Sequence, residues 1–176
     1  MPNYFSNFPK MYYDAVGNGD YKVVTNLLRR VQLTKGFKDA SAFFDEINID
    51  DTSTPEILAD QFYGSVKYYW VVLLFNNVRD RFYDWPMSTV QLQNYIEDKY
   101  GNPDGVHHYE ITQTSGKTSS NDESHVIQVN STAAGALPVT NSEYEQRRQL
   151  KKQRIKMLKP EFLELFTDEF NRLIGE

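Results

Sequence analysis

His107, His108 and His125 are the only histidines in the chain and the first residues to test for chemistry. On a hairpin they could approach one another, and a His-rich cluster can bind zinc. Adjacent histidines on a strand point to opposite faces, however, and no Cys is present to complete a site. Acidic pairs such as Asp45-Glu46 and Asp50-Asp51 become acid–base candidates only where burial splits the two pKa values. These pairs stand beside strand ends and turns, where capping and solvation account for them. A nucleophilic Ser needs a base in reach, and no Gly-x-Ser-x-Gly elbow occurs. Ser115-Gly116-Lys117-Thr118 ends like a phosphate-binding loop. Residues 111–114 are Ile, Thr, Gln and Thr, so the upstream glycine is missing, and no apolar helix follows. Gly17-Asn18-Gly19 lacks the third glycine of a dinucleotide loop. Asn130-Ser131-Thr132 matches a glycosylation acceptor, which has no meaning without a secretory route. The residues thus predict no catalytic group, no metal site and no cofactor.

Composition points the same way. Lys and Arg number 19 against 24 Asp and Glu in 176 residues, a net charge of -5, which disfavours nucleic acid as a partner of the whole chain. The absence of Cys removes disulfides and thiol catalysis and fits assembly in a reducing cytosol. The opening MPNYFSNFPKMYY has no basic region followed by an apolar run, so no secretory signal is expected. The longest apolar run, Tyr68 to Phe75, is far short of the roughly 20 residues that span a bilayer. Twelve Tyr and eleven Phe remain, residues that serve equally as core and as surface buried against partners.

The elements that position these residues are punctuated clearly only in the middle of the chain. Residues 3–13 read as an extended aromatic arm and Gly17-Asn18-Gly19-Asp20 as a turn. Residues 21–33 read as a bent strand, 38–44 as a short helix and 43–49 as a strand. Thr54 can cap a helix, Pro55 fits its first turn, Glu56 complements its dipole and Gly64 supplies a left-handed stop. Ser65 then caps a second helix, Val66 to about Asn77, that is apolar on nearly every side. A loop with Phe82, Tyr83, Trp85 and Pro86 follows, then a third helix from about Ser88 to Lys99. Val106 to Thr112 and His125 to Asn130 have strand character and predict a hairpin with a long polar loop. Ser131 to Ser142 reads as a linker. Seven basic residues between Arg147 and Lys159 read as a solvated face or a contact with an acidic partner, since no aromatic residues interleave them. Residues 154–158 read as extended, and Pro160 opens a helix with Phe162, Phe166, Phe170 and Leu173 on one face.

Two resemblances sit on these pieces. Asp51-Thr52, Leu58-Ala59, Tyr63 and Asn76 or Asn77 resemble the helix–helix core of a LysM module. The second LysM strand, usually Gly-x-x-Leu-x-Ile-Pro, is missing after Asn77, where Asp84-Trp85-Pro86-Met87-Ser88 and a helix stand instead. The chain more fully resembles the LysM-like baseplate wedge proteins of contractile-tailed bacteriophages. That likeness is carried by Thr54-Pro55-Glu56 with Tyr63-Gly64-Ser65, by the run Tyr69 to Asn77 with Asp84-Trp85-Pro86, by the tail Ile155 to Phe162 leading to Glu169-Phe170, and by the arm Pro9 to Tyr13.

The resemblance implies an α+β fold: a small LysM-like helical core with flanking strands, a long-loop hairpin and extended N- and C-terminal arms. The implied division is an arm and strands over 1–42, the LysM-like module over 43–100, a hairpin and linker over 101–145, and a basic segment with an amphipathic helix over 146–176. It implies a non-enzymatic structural subunit that joins neighbouring wedges, present in several copies in the tail baseplate of the virion and made in the host cytoplasm. Its partners would be wedge core subunits and a sheath-initiator-like subunit, with neither nucleic acid nor membrane. The expected interface or core residues are Tyr12, Tyr13, Tyr69, Trp70, Trp85, Phe162, Phe166 and Phe170, with the N- and C-terminal segments clamping neighbours around a central scaffold. The alternative is a peptidoglycan-binding LysM module of a cell-wall-associated protein.

Overall fold

Thr54 and Gly64 bracket the first helix as their chemistry requires. In the computed structural model, which describes residues 4–34, 37, 40–112 and 125–175, the Thr54 hydroxyl accepts the Ile57 N–H and Gly64 closes helix α1 (Pro55–Tyr63) at φ 66°. The chain is α+β, with five α-helices and seven short strands among the described residues. It divides into two compact units, one running to Asp84 and resuming at Arg154, the other spanning Trp85–Gln153.

The first unit opens with a 3₁₀ turn (Tyr4–Asn7) and a hairpin of β1 (Lys10–Tyr13) and β2 (Lys22–Thr25). The predicted extended arm is therefore part helix and part paired strand, and Phe8 between them is buried. The predicted bent strand over 21–33 is regular only through Thr25. Strand β3 (Phe44–Asn48) leads to α1, a 3₁₀ turn (Val66–Tyr68) and α2 (Tyr69–Phe75), so the expected second helix begins with a tighter turn. Of the short helix expected over 38–44, residues 38 and 39 lie outside the described residues.

The partner of β3 is β7 (Arg154–Leu158), antiparallel with Phe44 opposite Leu158 and Asn48 opposite Arg154. A 3₁₀ turn (Pro160–Phe162) then enters α5 (Leu163–Gly175). The C-terminal segment is not a free clamp. Met157, Leu158, Phe170 and Ile174 are almost fully buried, and the last three share one core with Phe8, Trp70, Val71 and Phe75. The physical reason is amphipathicity: α5 repeats its aromatic residues every four positions, and a stripe of that kind buries itself where an apolar helix such as α2 is available.

The second unit holds α3 (Thr89–Tyr100), β4 (Val106–Thr112), β5 (Val126–Val129), β6 (Leu137–Thr140) and α4 (Asn141–Gln153). Ser88 and Gln91 form a reciprocal capping box on α3, and Gly101 ends it at φ 65°. The predicted β4–β5 pairing is present, with Tyr109 opposite Val129; the polar loop expected between them, with Ser115 to Thr118, lies outside the described residues. One expectation is overturned: the supposed linker contains β6, which pairs with β4 on its other edge. The basic segment before Arg154, for which no element is predicted, is helical. Pro138 sits at the edge of the three-stranded sheet, the position in which a strand tolerates a missing N–H.

Candidate assembly interface

In the first unit the sequence-predicted aromatic residues separate into two groups. Trp70 and Phe170 are core: their rings lie 4.4 Å apart at centroid distance, and the Tyr4 ring lies 5.7 Å from Trp70. Phe166 faces Phe75 at 5.3 Å and Phe162 faces Phe43 at 5.1 Å, both half-buried, and Tyr69 is half-buried beside them. Tyr12 and Tyr13 are the opposite case, 73% and 53% exposed. They are successive residues on β1, so they project from opposite faces of the hairpin. Both faces of this two-stranded ribbon are therefore open. Tyr21 and Val23 on the second arm are exposed as well, and Leu28 just beyond it is 85% exposed.

The hairpin is held in shape from its tip. The Asp14 carboxylate accepts the backbone N–H groups of Val16, Gly17 and Gly19 at 3.1, 2.7 and 2.7 Å. These bonds, that from Gly19 foremost, hold the Asp14 carboxyl below its ordinary range. Gly17 and Gly19 take φ of 75° and 83°, a region closed to most side chains, which lets three amides converge on one carboxylate.

A second exposed feature is the loop after α2. Asp84 accepts the N–H groups of Arg79 and Asp80 at 2.9 and 3.0 Å, and Asp80 accepts the Phe82 N–H at 2.8 Å. The loop is thus tied by its own carboxylates, and it holds Phe82 out, 77% exposed. Sequence reasoning placed this aromatic in a loop but did not single it out; the flanking Asp80 and Asp84, both able to bind nearby amides, are the signal that would have found it.

Asn76 is a further residue that sequence reasoning saw only as an end signal. Its side-chain amide donates to the Lys156 carbonyl and accepts the Lys156 N–H, at 2.8 and 2.7 Å. One Asn side chain thereby stands in for a neighbouring strand on the free edge of β7. Tyr63 donates its hydroxyl to the Leu158 carbonyl at 3.0 Å, and burial pushes its pKa up. Helix α2 ends with Asn77 in the left-handed region at φ 53°, while the Val78 N–H reaches back to the Leu73 carbonyl.

In the second unit Trp85 is buried, together with Ile96 and Val139. Pro86 is buried too, and the other buried residues among those described in this unit, Glu110, Asn141, Glu145 and Gln149, are polar. Glu145 is 2% exposed, accepting Lys99 at 2.7 Å and the Tyr100 hydroxyl at 2.8 Å, with Arg148 at 3.3 Å. Burial pushes the Glu145 pKa up, but the hydrogen bonds from Lys99 and Tyr100 and the charge of Arg148 outweigh it and hold the carboxyl below its usual range. Arg147 grips Glu110 with two bonds of 2.8 and 2.9 Å.

The histidines depart from expectation. A bulge between Val106 and His108 breaks the alternation of β4, and the Nδ1 atoms of His107 and His108 come within 2.9 Å. The His107 ring also stacks on Tyr144 at 3.9 Å, and burial followed by the charge of His108 lowers its pKa. His125 precedes β5 at the far end of β4 and does not join them. Among the described residues no three His or acidic side chains converge as a metal site. The buried charges are paired in a structural network, with each acid held by a base.

On well-tied backbone, the first unit thus exposes Tyr12, Tyr13, Tyr21, Val23 and Phe82. A protein-family profile described as base plate wedge protein 53 matches residues 4–119. No curated protein matches the chain. The profile covers the hairpin, β3, α1, α2, α3 and β4, and it ends before β5, β6, α4, β7 and α5. Among the described residues no helix is long and apolar enough to cross a membrane. The family's role is structural, within the baseplate of the phage tail, in assembly with other baseplate subunits. By this match over about two thirds of its length, the chain belongs to the phage base plate wedge protein 53 family.

Proposed function

We propose that this chain joins neighbouring wedges of a contractile-tail baseplate through protein–protein contacts, in several copies and without catalysis. The observation that carries the reading is the β1–β2 hairpin. A two-stranded ribbon open on both faces is marginal in water, and this one bears Tyr12, Tyr13, Tyr21 and Val23 outward. Such a ribbon gains its stability when partners cover it, and large aromatic side chains are the usual anchors of such contacts. Wedge core subunits and a sheath-initiator-like subunit are the partners this reading assigns.

The scaffold behind the hairpin has the order strand, helix, helix, strand expected of a LysM-like core. In this reading β7, which follows only after the second unit and pairs with β3, takes the place of the strand missing after Asn77. This order supports a LysM-like module whose second strand is displaced along the chain. Its sheet edge is occupied by Asn76.

The test replaces Tyr12 and Tyr13 with Ala in the full chain. Both are largely exposed, so unfolding free energy stays within about 0.5 kcal/mol of the parent. Purified wedges mixed with the variant then fail to close into rings by negative-stain electron microscopy. Ring closure at the parental level, with the variant folded, refutes the assignment of the hairpin.

A further inference from the structure

We infer that a basic cleft in the first unit receives an acidic, leucine-bearing segment of a partner protein. The cleft, about 350 Å³, runs between residues 29–33 and the end of α2. Arg29, Arg30 and Arg79 line it, and among the described residues no acidic side chain does. None of these three guanidinium groups has a carboxylate within ion-pair distance among the described residues. Elsewhere in the same unit the arginines are paired: Arg81 with Glu56, Arg154 with Glu46 and Arg172 with Glu169. Three unpaired arginines around one cleft therefore stand apart from the pattern of the fold.

The wall between them is part aliphatic and part polar, with Gln32 and Asn77 beside the apolar side chains. Val31 and Leu33 pack on the core, and Leu73, Leu74 and Val78 present aliphatic surface from the other side. Fixed positive charge beside aliphatic side chains, with the amides of Gln32 and Asn77 to meet a peptide backbone, suits a peptide that alternates carboxylates with leucine-like side chains. Guanidinium groups bind carboxylates by two parallel bonds, which fixes orientation as well as charge. The nearby end of α2 does not repel such a ligand strongly, since its carbonyls already accept the Asn76 and Val78 N–H groups. Charge over the segment agrees: residues 4–34 carry four basic side chains and two acidic ones in a chain whose net charge is -5. Nucleic acid is the poorer fit, because the one aromatic ring that lines the cleft among the described residues, Tyr4, is already packed against Phe8, Trp70 and Phe170.

This inference rests on the assembly reading and names the chemistry of one partner segment. The test uses the purified full chain and a fluorescein-labelled decapeptide of alternating Glu and Leu, read by fluorescence anisotropy. A Gln–Leu decapeptide and an oligothymidylate of matched length serve as comparison probes. Saturable binding of the Glu–Leu peptide is expected, weakening with salt and falling roughly tenfold for each guanidinium removed. The variants are R29Q/R30Q and, from a different element, R79Q, each checked for an unchanged circular dichroism spectrum. Equal binding of the Gln–Leu peptide, or affinity unchanged in both variants, overturns the inference. Tighter binding of the oligothymidylate with the same arginine dependence overturns it in favour of nucleic acid. If the peptide is not bound while the Tyr12 and Tyr13 variant still abolishes ring closure, the cleft assignment fails and the joining role stands.

Discussion

Replacing Phe170 with Ala separates a core helix from a docking helix. Phe170 is 2% exposed and lies between Trp70 at 4.4 Å and Tyr4 at 5.9 Å, so its ring is enclosed by α2 and the N-terminal 3₁₀ turn of the first unit. Truncating a fully buried Phe removes its transfer free energy and leaves a cavity, together about 3–5 kcal/mol. Neighbouring aromatic rings keep their backbone positions and do not collapse into such a space, which places the cost toward the upper half of that range. For a urea slope of about 2 kcal/mol per molar, the unfolding midpoint falls by about 2 M. Leu165 is the control: it lies on the same helix but is 70% exposed, and its change to Ala costs under about 0.5 kcal/mol. Urea unfolding gives the magnitudes, and hydrogen exchange read by mass spectrometry locates them. Loss of protection is expected in β3, α1 and α2 and not in α3 or β4, because the latter belong to the other unit. If F170A and L165A have the same stability, α5 is not part of the core and the placement of the C-terminal segment is refuted.

Three further outcomes follow from other contacts. N76A orphans the N–H and carbonyl of Lys156 on the free edge of β7, at roughly 1–3 kcal/mol for each group water does not reach, measured by urea unfolding. E145Q removes the buried charge that Lys99, Tyr100 and Arg148 surround; with Lys99 37% exposed and solvent screening part of the effect, the loss is about 1–3 kcal/mol. The folded state holds the Glu145 carboxyl ionised to lower pH than the unfolded state does, so its contribution is complete above about pH 4.5 and is lost as the pH falls through the lowered folded value; E145Q flattens that acid limb in a pH series of thermal unfolding. His107 is likewise held neutral in the folded state, so stability declines as the pH falls below 6.5 toward its lowered folded pKa, and H107F removes that part of the slope.

The parts of the fold legible in the sequence are those whose signals are local. Thr54, Pro55 and Gly64 define α1 within ten residues, and the four-residue spacing of Phe166 and Phe170 marks the core-facing side of α5. Helix α4 was hidden because it violates the rule that periodicity depends on. The residues it buries at successive turns are Asn141, Glu145 and Gln149, which a hydropathy reading assigns to the solvent side. Burying them is tolerable because each has a partner: Asn141 donates to the Asn102 carbonyl, Gln149 accepts the Met87 N–H, and Glu145 meets Lys99 and Tyr100. The meeting of His107 and His108 was hidden because a bulge is a property of pairing between strands, not of either strand alone. The β3–β7 pair was hidden for a related reason. More than a hundred residues separate Glu46 from Arg154, and an isolated strand does not declare its partner.

The candidate interface was legible as residue types, Tyr12 and Tyr13 in a Gly-rich context, but not as a surface. What turns those residues into an anchor is the backbone behind them. A flexible aromatic arm loses conformational freedom when it docks, at about 0.5–1.5 kcal/mol for each immobilised side chain and more for the backbone. In this chain the turn is already ordered by three amide bonds to Asp14, and β1 and β2 are already in register. The main-chain part of that cost is met before the partner arrives, and the energy of covering Tyr12 and Tyr13 goes into affinity. The same geometry explains why the hairpin is not simply folded onto the first unit's own core. That core is already filled by α2, β7 and α5, and among the described residues nothing covers Tyr12 and Tyr13, which leaves both faces of the ribbon exposed for the proposed contacts.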